Sequence, residues 1–255
     1  MPLTKEQCEQ LYAKLQVVGW KTDRLLLKFV SHPFVREKAR EYATQGFARR
    51  LQTMRRCIEN VFSIIPPDVV DVPQKLQLDD AQINIQAAFA NIYGCVDNLA
   101  WVWVYERELS IPALRVGLRR QNTDIRASLS PEFRAYLHSL EDWFAYLTEY
   151  RDALAHRIPL YIPPGNVRPK DVDAYNDLMT RMNAAIANHQ TDEYERLSLE
   201  QSKLLVFQPV IGHSLVEMKA PYFFHVQLIA DFLTIEELGN KMLAELHQLA
   251  SDSSC

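Results

Sequence analysis

Residues Ala81–Glu108 read AQINIQAAFANIYGCVDNLAWVWVYERE and contain the most apolar run of the chain. Apolar side chains recur at spacings of three and four and surround nearly the whole helix that this spacing predicts. They are Ile85, Phe89, Ile92, Val96, Leu99 and Trp103. A helix that is apolar on nearly every side is normally buried among other helices. The stretch therefore predicts the central helix of an all-α protein. Asn91, Asp97 and Asn98 make it a poor membrane span, so we expect no membrane partner.

One seam of this helix carries small and amide side chains instead of large apolar ones. Its members are Asn84, Ala87, Asn91, Gly94, Asn98 and Trp101. Such a seam is typical of close approach by a neighbouring helix with local hydrogen bonds, and this is the favoured interpretation. A seam that lines a polar cleft is the alternative, and it stays open.

The first 66 residues are expected to form a long helical hairpin. Thr4 and Gln7 form a capping box, in which a hydroxyl and an amide side chain bond the free backbone groups of a helix start. This box predicts a helix over Lys5–Val30, and a second long helix follows over Phe34–Ile64.

Residues 80–250 are expected to form the remaining bundle, so that residues 1–255 make one domain. Asp79-Asp80 suit the start of the central helix, because carboxylates cap free N–H groups and favour the positive helix end. Ser130 as cap and Pro131 as first residue open another helix, which must end before Pro159. Further helices are predicted over Asp171–Asn188, over Thr191–Leu205, and from a Thr234/Glu237 capping box to Ala250.

The expected architecture is an up-and-down bundle of long antiparallel helices. Val206–Phe224 mixes β-branched, aromatic, proline and glycine residues, so it is either a short β-hairpin or an irregular loop. The sequence does not decide between the two.

The net charge of −4 argues against a protein that simply coats nucleic acid, so any such function needs a local site. The four cysteines form no CxxC pair and no disulfide-like pattern. Met1–Leu11 lacks the charged and apolar regions of a signal peptide, and the expected location is therefore the cytoplasm.

The stretch Tyr150–Pro159, YRDALAHRIP, places an arginine, an acid and a histidine at a helix end. Arg151 fills the one polar slot in an apolar stripe. The stripe consists of Phe133, Leu137, Leu140, Phe144, Leu147, Leu154 and Ile158. Either the guanidinium is desolvated and paired, or it reaches water or the last carbonyls from near the helix end.

Arg151, Asp152 and His156 resemble the signature of the HEPN superfamily, an arginine and a polar residue followed by a histidine near a helix C-terminus. The resemblance covers the bundle from the central helix onward and leaves the first two helices unexplained. It implies a metal-independent endoribonuclease whose Arg and His meet across a homodimer interface. It also implies a non-catalytic alternative, since many relatives only bind RNA, nucleotides or proteins.

The chemistry of these residues also stands without the resemblance. RNA cleavage that uses no metal or cofactor needs a group that takes the 2′-OH proton and cations for the phosphorane. Histidine and arginine supply both. Positions five apart on a helix lie about 140° apart, so Arg151 and His156 would act together only across two chains. Asp152 shares a face with His156 and is expected to support it.

Polarity along the bundle predicts where substrate would bind. If neighbouring helices alternate in direction, the end of the second helix, the start of the third and the end of the signature helix meet at one pole. The candidate substrate-binding residues are Arg55, Arg56, Asn84, Arg157 and Arg168. The basic loop Arg115–Arg126 would lie at the far pole, about 40 Å away.

A metal site formed by His213, Glu217, His225 and Asp231 is a weaker hypothesis, because no tight histidine pair occurs. Structural histidines are favoured instead, so no metal site is assigned. The leading function is thus a homodimeric ribonuclease, and a regulatory protein partner is compatible with it. The alternative is a helical module that binds a nucleotide, RNA or protein.

Overall fold

The computed structural model describes residues 3–213 and 222–252, with side chains through residue 248. The fold is predominantly helical, as predicted. The helices are α1 (Lys5–Ser31), α2 (Glu37–Glu41), α3 (Ala48–Ile64), α4 (Lys75–Glu106), α5 (Thr123–Ala127), α6 (Pro131–Ser139), α7 (Glu141–His156), α8 (Val172–Ala187), α9 (Thr191–Ser202) and α10 (Phe224–Asp252). Within the described ranges, none of them is long and apolar enough to cross a membrane.

Helix α4 is the centre of the bundle, which confirms the interpretation of residues 81–108. It packs against α3, α7 and α10, and its inward side chains are fully buried. The helix begins before Asp79-Asp80, so the predicted start was wrong. A capping box of Gln74 and Gln77 opens it. The Gln77 side chain accepts a hydrogen bond from the backbone N–H of Gln74 at 2.9 Å.

Helix α1 has the predicted bounds to within one residue. The Gln7 side chain accepts from the Thr4 N–H at 2.8 Å, and the Thr4 hydroxyl accepts from the Gln7 N–H at 3.2 Å. The second predicted helix begins later than expected, at Glu37, and is helical throughout to Ile64. A π-helical turn over Tyr42–Phe47 joins α2 to α3 within it and contacts α4.

The predicted helix from Pro131 to Ile158 is two helices, α6 and α7, and the prediction of one unbroken helix was wrong. Ser130 caps α6, as expected, by accepting from the Phe133 N–H at 3.2 Å. Its own N–H donates to Glu245 of α10 at 2.5 Å, so α6 is tied to α10. The helix breaks at Leu140, whose backbone leaves the helical region. The apolar stripe continues across the break and therefore hides it.

A short antiparallel hairpin precedes the last helix. Strands β3 (Val210–Ile211) and β4 (Tyr222–Phe223) pair antiparallel, as the hairpin interpretation expects, and residues 214–221 between them lie outside the described residues. Helix α10 starts directly after β4, so the predicted start at Thr234 was wrong. The Thr234 hydroxyl donates to the Ala230 carbonyl at 3.1 Å inside the helix, as mid-helix threonines commonly do.

Helices α8 and α9 form a hairpin with a small hydrophobic cluster of its own. Strands β1 (Asn166–Val167) and β2 (Leu205–Val206) pair at its base. Its buried residues are Leu178, Met182 and Leu197, which are separate from the main core. The two helices pack mainly on each other, so this hairpin stands apart from the bundle.

Candidate functional site

Arg151 lies on the side of α7 that faces α4. Its guanidinium carbon is 5.2 Å from the centre of the Tyr93 ring, and its Nη1 donates to Asp152 Oδ1 at 2.9 Å. The Arg151 side chain is 43% exposed. The polar slot in the apolar stripe is therefore filled by a paired, half-exposed arginine, and no fully desolvated charge results.

Arg119 lies against the same aromatic ring. Its guanidinium carbon is 4.0 Å from the centre of the Tyr93 ring, and its Nη2 is 3.3 Å from Asp97 Oδ1. The side chain is only 10% exposed. Two guanidinium groups thus flank one tyrosine, and each of them is paired with a carboxylate. Cations over an aromatic face are attracted by the negative face of the ring.

The expected location of Arg119 at the far pole was wrong. The connection after α4 folds back along that helix instead of extending away from it. Asn122 holds the fold-back, because its Oδ1 accepts from the Arg119 N–H at 3.1 Å and its Nδ2 donates to the Arg115 carbonyl at 2.9 Å. A β-carbon at Gly117 would lie 2.6 Å from Asn122 Oδ1, so glycine gives Asn122 the room it needs.

The amide seam of α4 meets α3 closely and is hydrogen-bonded, which confirms the favoured interpretation of that seam. Arg50 of α3 donates from Nε to Asn98 Oδ1 at 3.0 Å and from Nη1 to Asn91 Oδ1 at 3.5 Å. A β-carbon at Gly94 would lie 2.5 Å from the Arg50 guanidinium carbon. Glycine at that position is what lets the guanidinium lie flat on α4.

Asn84, a predicted substrate-binding residue, belongs to the same helix contact. Its Nδ2 donates to the Asp80 carbonyl at 2.8 Å, and its Oδ1 accepts from Asn60 of α3 at 2.9 Å. Both ends of the amide are therefore engaged within the fold.

Three arginines act electrostatically on one carboxylate, that of Asp97. Burial raises the pKa of Asp97 above its ordinary value, and the charges of Arg119, Arg151 and Arg50 offset only part of that rise. We name the group formed by Arg50, Tyr93, Asp97, Arg119, Arg151 and Asp152 the α4 site. Three positive and two negative side chains leave the α4 site with a positive excess on a protein that is negative overall.

His156 is the last residue of α7 and is exposed. Among the described residues, no hydrogen bond or ion pair engages its imidazole. Asp152, expected to support His156, pairs with Arg151 instead. The structure therefore brings Arg151, Asp152 and Tyr93 together and leaves His156 free on the surface at the end of the same helix.

Arg157 and Arg168 follow α7 and lie on the surface. Arg157 folds back along the helix, where its Nη2 donates to the Glu149 carbonyl at 3.2 Å. Arg168 is exposed and precedes the short 3-10 turn Pro169–Asp171.

Arg55 and Arg56 of α3 are both paired with carboxylates. Arg55 Nε and Nη1 bind Glu59 and Asp23, each at 2.8 Å. Arg56 Nη1 is 3.5 Å from the same Glu59 and is largely exposed. The structure thus places Arg55 against α1 and Arg56 on the surface of α3, whereas Arg50 contacts α4.

The residues of the metal hypothesis have other partners. His225 is fully buried and donates from Nε2 to the Ile65 carbonyl at 2.7 Å, and burial lowers its pKa to about 4. His213 is buried with Nε2 at 3.6 Å from Glu149 Oε1. Glu217 lies outside the described residues. Within residues 3–213 and 222–252, no group of three metal-ligating side chains is assembled.

Asp231 is fully buried and accepts three hydrogen bonds from neutral groups. Its Oδ1 accepts from Trp143 Nε1 and Gln227 Nε2, each at 2.9 Å, and its Oδ2 accepts from Tyr146 at 3.2 Å. Burial raises the pKa of this carboxyl to about 6. Asp231 therefore joins α7 to α10 and has a structural role.

Tyr93, Asp97, Arg50 and Arg119 are the members of the α4 site that the sequence did not single out. One signal for them was present. Asp97 stands in the most apolar helix of the chain, where a carboxylate needs a cationic or hydrogen-bonding partner. Nothing in the sequence identified that partner as Arg119, because residues 107–118, which join the end of α4 to Arg119, form no long regular element.

Comparisons of the chain with protein-family models, with curated proteins and with solved structures found no match. The resemblance to the HEPN superfamily therefore rests on Arg151, Asp152 and His156 alone.

Proposed function

We propose that this protein binds RNA at the α4 site and cleaves it without a metal ion as a homodimer in the cytoplasm. The observation that carries the proposal is the pair of guanidinium groups, Arg119 and Arg151, against one ring, Tyr93. Arginine pairs with phosphate through two parallel hydrogen bonds, and its flat guanidinium also stacks on bases. The site thus combines the two kinds of contact that single-stranded RNA offers.

When RNA binds, a phosphate would replace a carboxylate as the partner of an arginine. In the free protein Asp97 and Asp152 pair with Arg119 and Arg151. A phosphate that approaches Arg151 competes with a half-exposed carboxylate, and such exposed pairs contribute at most about 1 kcal/mol to stability. Arg151 is therefore the group from which a phosphate displaces a carboxylate most easily, and Arg119 stays fixed as the inner cation.

Cleavage would use His156 of a second protomer. The imidazole is exposed, and imidazole is the side-chain group that most often acts as general acid or base in enzymes. Within one helix it points about 140° away from Arg151, so a partner chain must supply the histidine that acts beside a given Arg151. Residues 155–159 are all exposed, and a regulatory protein would block the reaction by covering them.

A second candidate, RNA or nucleotide binding without cleavage, is favoured by one specific observation. The carboxylate that would orient the histidine, Asp152, is bonded to Arg151. An imidazole without an orienting partner is a weaker general base. In this case the α4 site alone carries the function, and His156 is a surface residue.

Cleavage separates the two candidates. Purified protein is incubated with fluorescently labelled single-stranded RNA in the presence of EDTA, and the products are resolved on a gel. We expect the wild type to cleave the RNA in EDTA and the His156→Ala variant not to cleave it. His138→Ala is the matched control, since His138 is also exposed and lies in the last turn of α6. Equal activity of the His156 variant and wild type would exclude the mechanism, and absence of cleavage with intact binding would establish the second candidate.

Binding is tested on the same RNA by fluorescence polarisation at several salt concentrations. Arg151→Ala should weaken affinity for all sequences alike and lower the slope of log K against log salt by about 0.7, the value of one phosphate contact on a single strand. Arg134→Ala, an exposed arginine of α6, should leave both unchanged. Unchanged affinity in Arg151→Ala would remove the α4 site from the proposal.

A further inference from the structure

Helix α8 has an apolar face that is wider than its partner helix can cover. One half of the face packs on α9 through Leu178, Met182 and Ala185, which are buried. The other half is a stripe along the whole helix, in which Val172, Met179 and Ile186 are 39%, 37% and 56% exposed. A two-helix unit with so few buried residues normally needs another surface to complete its core.

The residue types of the open stripe read alike in both directions. At spacings of four, three, four and three the stripe consists of Val172, Asn176, Met179, Asn183 and Ile186, and all five residues are exposed. An antiparallel copy centred on Met179 would place valine opposite isoleucine and methionine opposite methionine, and each asparagine within one residue, about 1.5 Å along the axis, of the other copy's asparagine. A two-fold interface requires this property, that residue i meets residue j while j meets i.

Charge favours the same arrangement. Asp171, Asp173 and Asp177 lie in or just before the first half of α8, whereas Arg181 is the one charged residue between positions 178 and 188. An antiparallel copy places each acidic half beside the other copy's uncharged or basic half. A parallel copy would stack acid on acid and align two helix dipoles.

The net charge of the α8–α9 hairpin argues against a membrane or an RNA strand as the partner that covers this face. Residues 170–203 contain seven acidic and four basic side chains. An anionic membrane surface or an RNA strand would be repelled by this balance. The stripe of α8 is complementary to a protein surface that has apolar side chains and amide groups. A second copy of α8 presents such a surface.

We propose that α8 is the dimerisation surface of this protein, and that two copies pack antiparallel along the stripe centred on Met179. The paired asparagines, Asn176 with Asn183 of the second copy, fix the register, as buried asparagines do in coiled coils. The stripe is about 21 Å long, so the interface is small and the dimer forms as concentration rises.

This inference rests on the proposed function in one respect, that both require a homodimer. It adds the surface through which that homodimer forms. Light scattering after size exclusion measures the mass of the full chain over a range of concentrations. Wild type is expected to approach twice the monomer mass. Met179→Glu, which places a charge at the two-fold axis, should give the monomer mass. Ala184→Glu adds the same charge to the solvent face of the same helix, and it should remain dimeric.

A cross-link tests the geometry independently of stability. In a Cys255→Ser background, Met179→Cys should form a disulfide-linked dimer under mild oxidation, and Ala184→Cys should not. A monomeric wild type at the highest concentration reached, or a dimer that Met179→Glu leaves intact and Met179→Cys does not cross-link, would overturn the inference.

The two proposals fail separately. A dimer that depends on Met179 but cleaves no RNA supports the surface and excludes the ribonuclease. A Met179→Glu monomer that cleaves RNA as fast as wild type excludes the composite Arg/His site and leaves the surface standing.

Discussion

Arg151 donates a hydrogen bond to the carboxylate of the next residue, Asp152, with 2.9 Å between Nη1 and Oδ1. The acid of the R-polar-x3-H motif is therefore engaged by the arginine of the motif and not by its histidine. Asp152 consequently has a defined effect on anything that binds Arg151, because it competes for the same guanidinium.

The first prediction concerns that competition. Asp152→Asn removes the competing negative charge, so RNA should bind more tightly while cleavage, if present, is not reduced. Fluorescence polarisation and the gel assay measure the two effects. Asp142→Asn removes the same charge from the exposed start of α7 and should change affinity less. A loss of cleavage with unchanged affinity would instead assign Asp152 to the histidine.

The second prediction concerns the ion pair of Arg119 and Asp97. Arg119→Ala should destabilise the fold by about 1 kcal/mol, because it removes the ion-pair partner of Asp97, whose side chain is 38% exposed. Asp97→Asn in the same chain should restore part of the loss, since the unpaired charge is then gone. Urea unfolding of the single and double variants measures the coupling. Arg120→Ala, an exposed neighbour, is the control, and additive effects would contradict the pairing.

The third prediction is a pH dependence caused by Asp231. Its pKa is about 6 in the folded protein and 3.8 as the reference value, so the folded state holds the proton more tightly. Stability from this group is present below pH 3.8 and is lost as the pH rises to 6, by about 3 kcal/mol in total. In Asp231→Asn this loss should disappear, while Asn Oδ1 can still accept from Trp143 and Gln227. Urea midpoints at pH 4 and pH 7 measure it.

The fourth prediction has the opposite sign and concerns His225. Its pKa is about 4 in the folded protein against 6.5 as the reference value, so acid protonates the unfolded state first. Stability from this group is present above pH 6.5 and is lost as the pH falls to 4, by about 3 kcal/mol. His225→Gln keeps a donor for the Ile65 carbonyl and should remove this acid sensitivity.

Between pH 4 and 6 the effects of Asp231 and His225 nearly cancel in the wild type. Each single variant should therefore reveal the dependence of the other group, with Asp231→Asn becoming less stable in acid and His225→Gln more stable. If both variants followed the wild-type curve, neither side chain would titrate as its burial requires.

The elements with strong periodicity were predictable because their signals are local. The Thr4/Gln7 box fixed the start of α1, and the all-round apolar pattern of residues 81–108 identified the central helix. The start of α4 was predicted too late, since Asp79-Asp80 offered a familiar cap and the equivalent Gln74/Gln77 box was overlooked. The Thr234/Glu237 pattern failed because a mid-helix hydroxyl can bond the preceding turn.

The missed features depend on contacts that are distant in sequence. The break at Leu140 leaves the apolar stripe intact, and the hydrogen bonds of Ser130 with Glu245 join α6 to a helix more than 100 residues later in the chain. Arg119 reaches Tyr93 because the hydrogen bonds of Asn122 hold the connection back along α4. The sequence of this connection has no periodic pattern, so its path could not be predicted. Helix polarity could not show that Arg55, in the middle of α3, faces α1.

Because Gly94 has no side chain, substitutions at position 94 and at position 50 should depend on each other during evolution. Any side chain there would occupy the space of the Arg50 guanidinium, while a shorter residue at position 50 would leave a groove beside Gly94. A mutation at either position is therefore tolerated best after a change at the other. In a lineage that descends from this sequence, glycine 94 and arginine 50 should be kept together or replaced together.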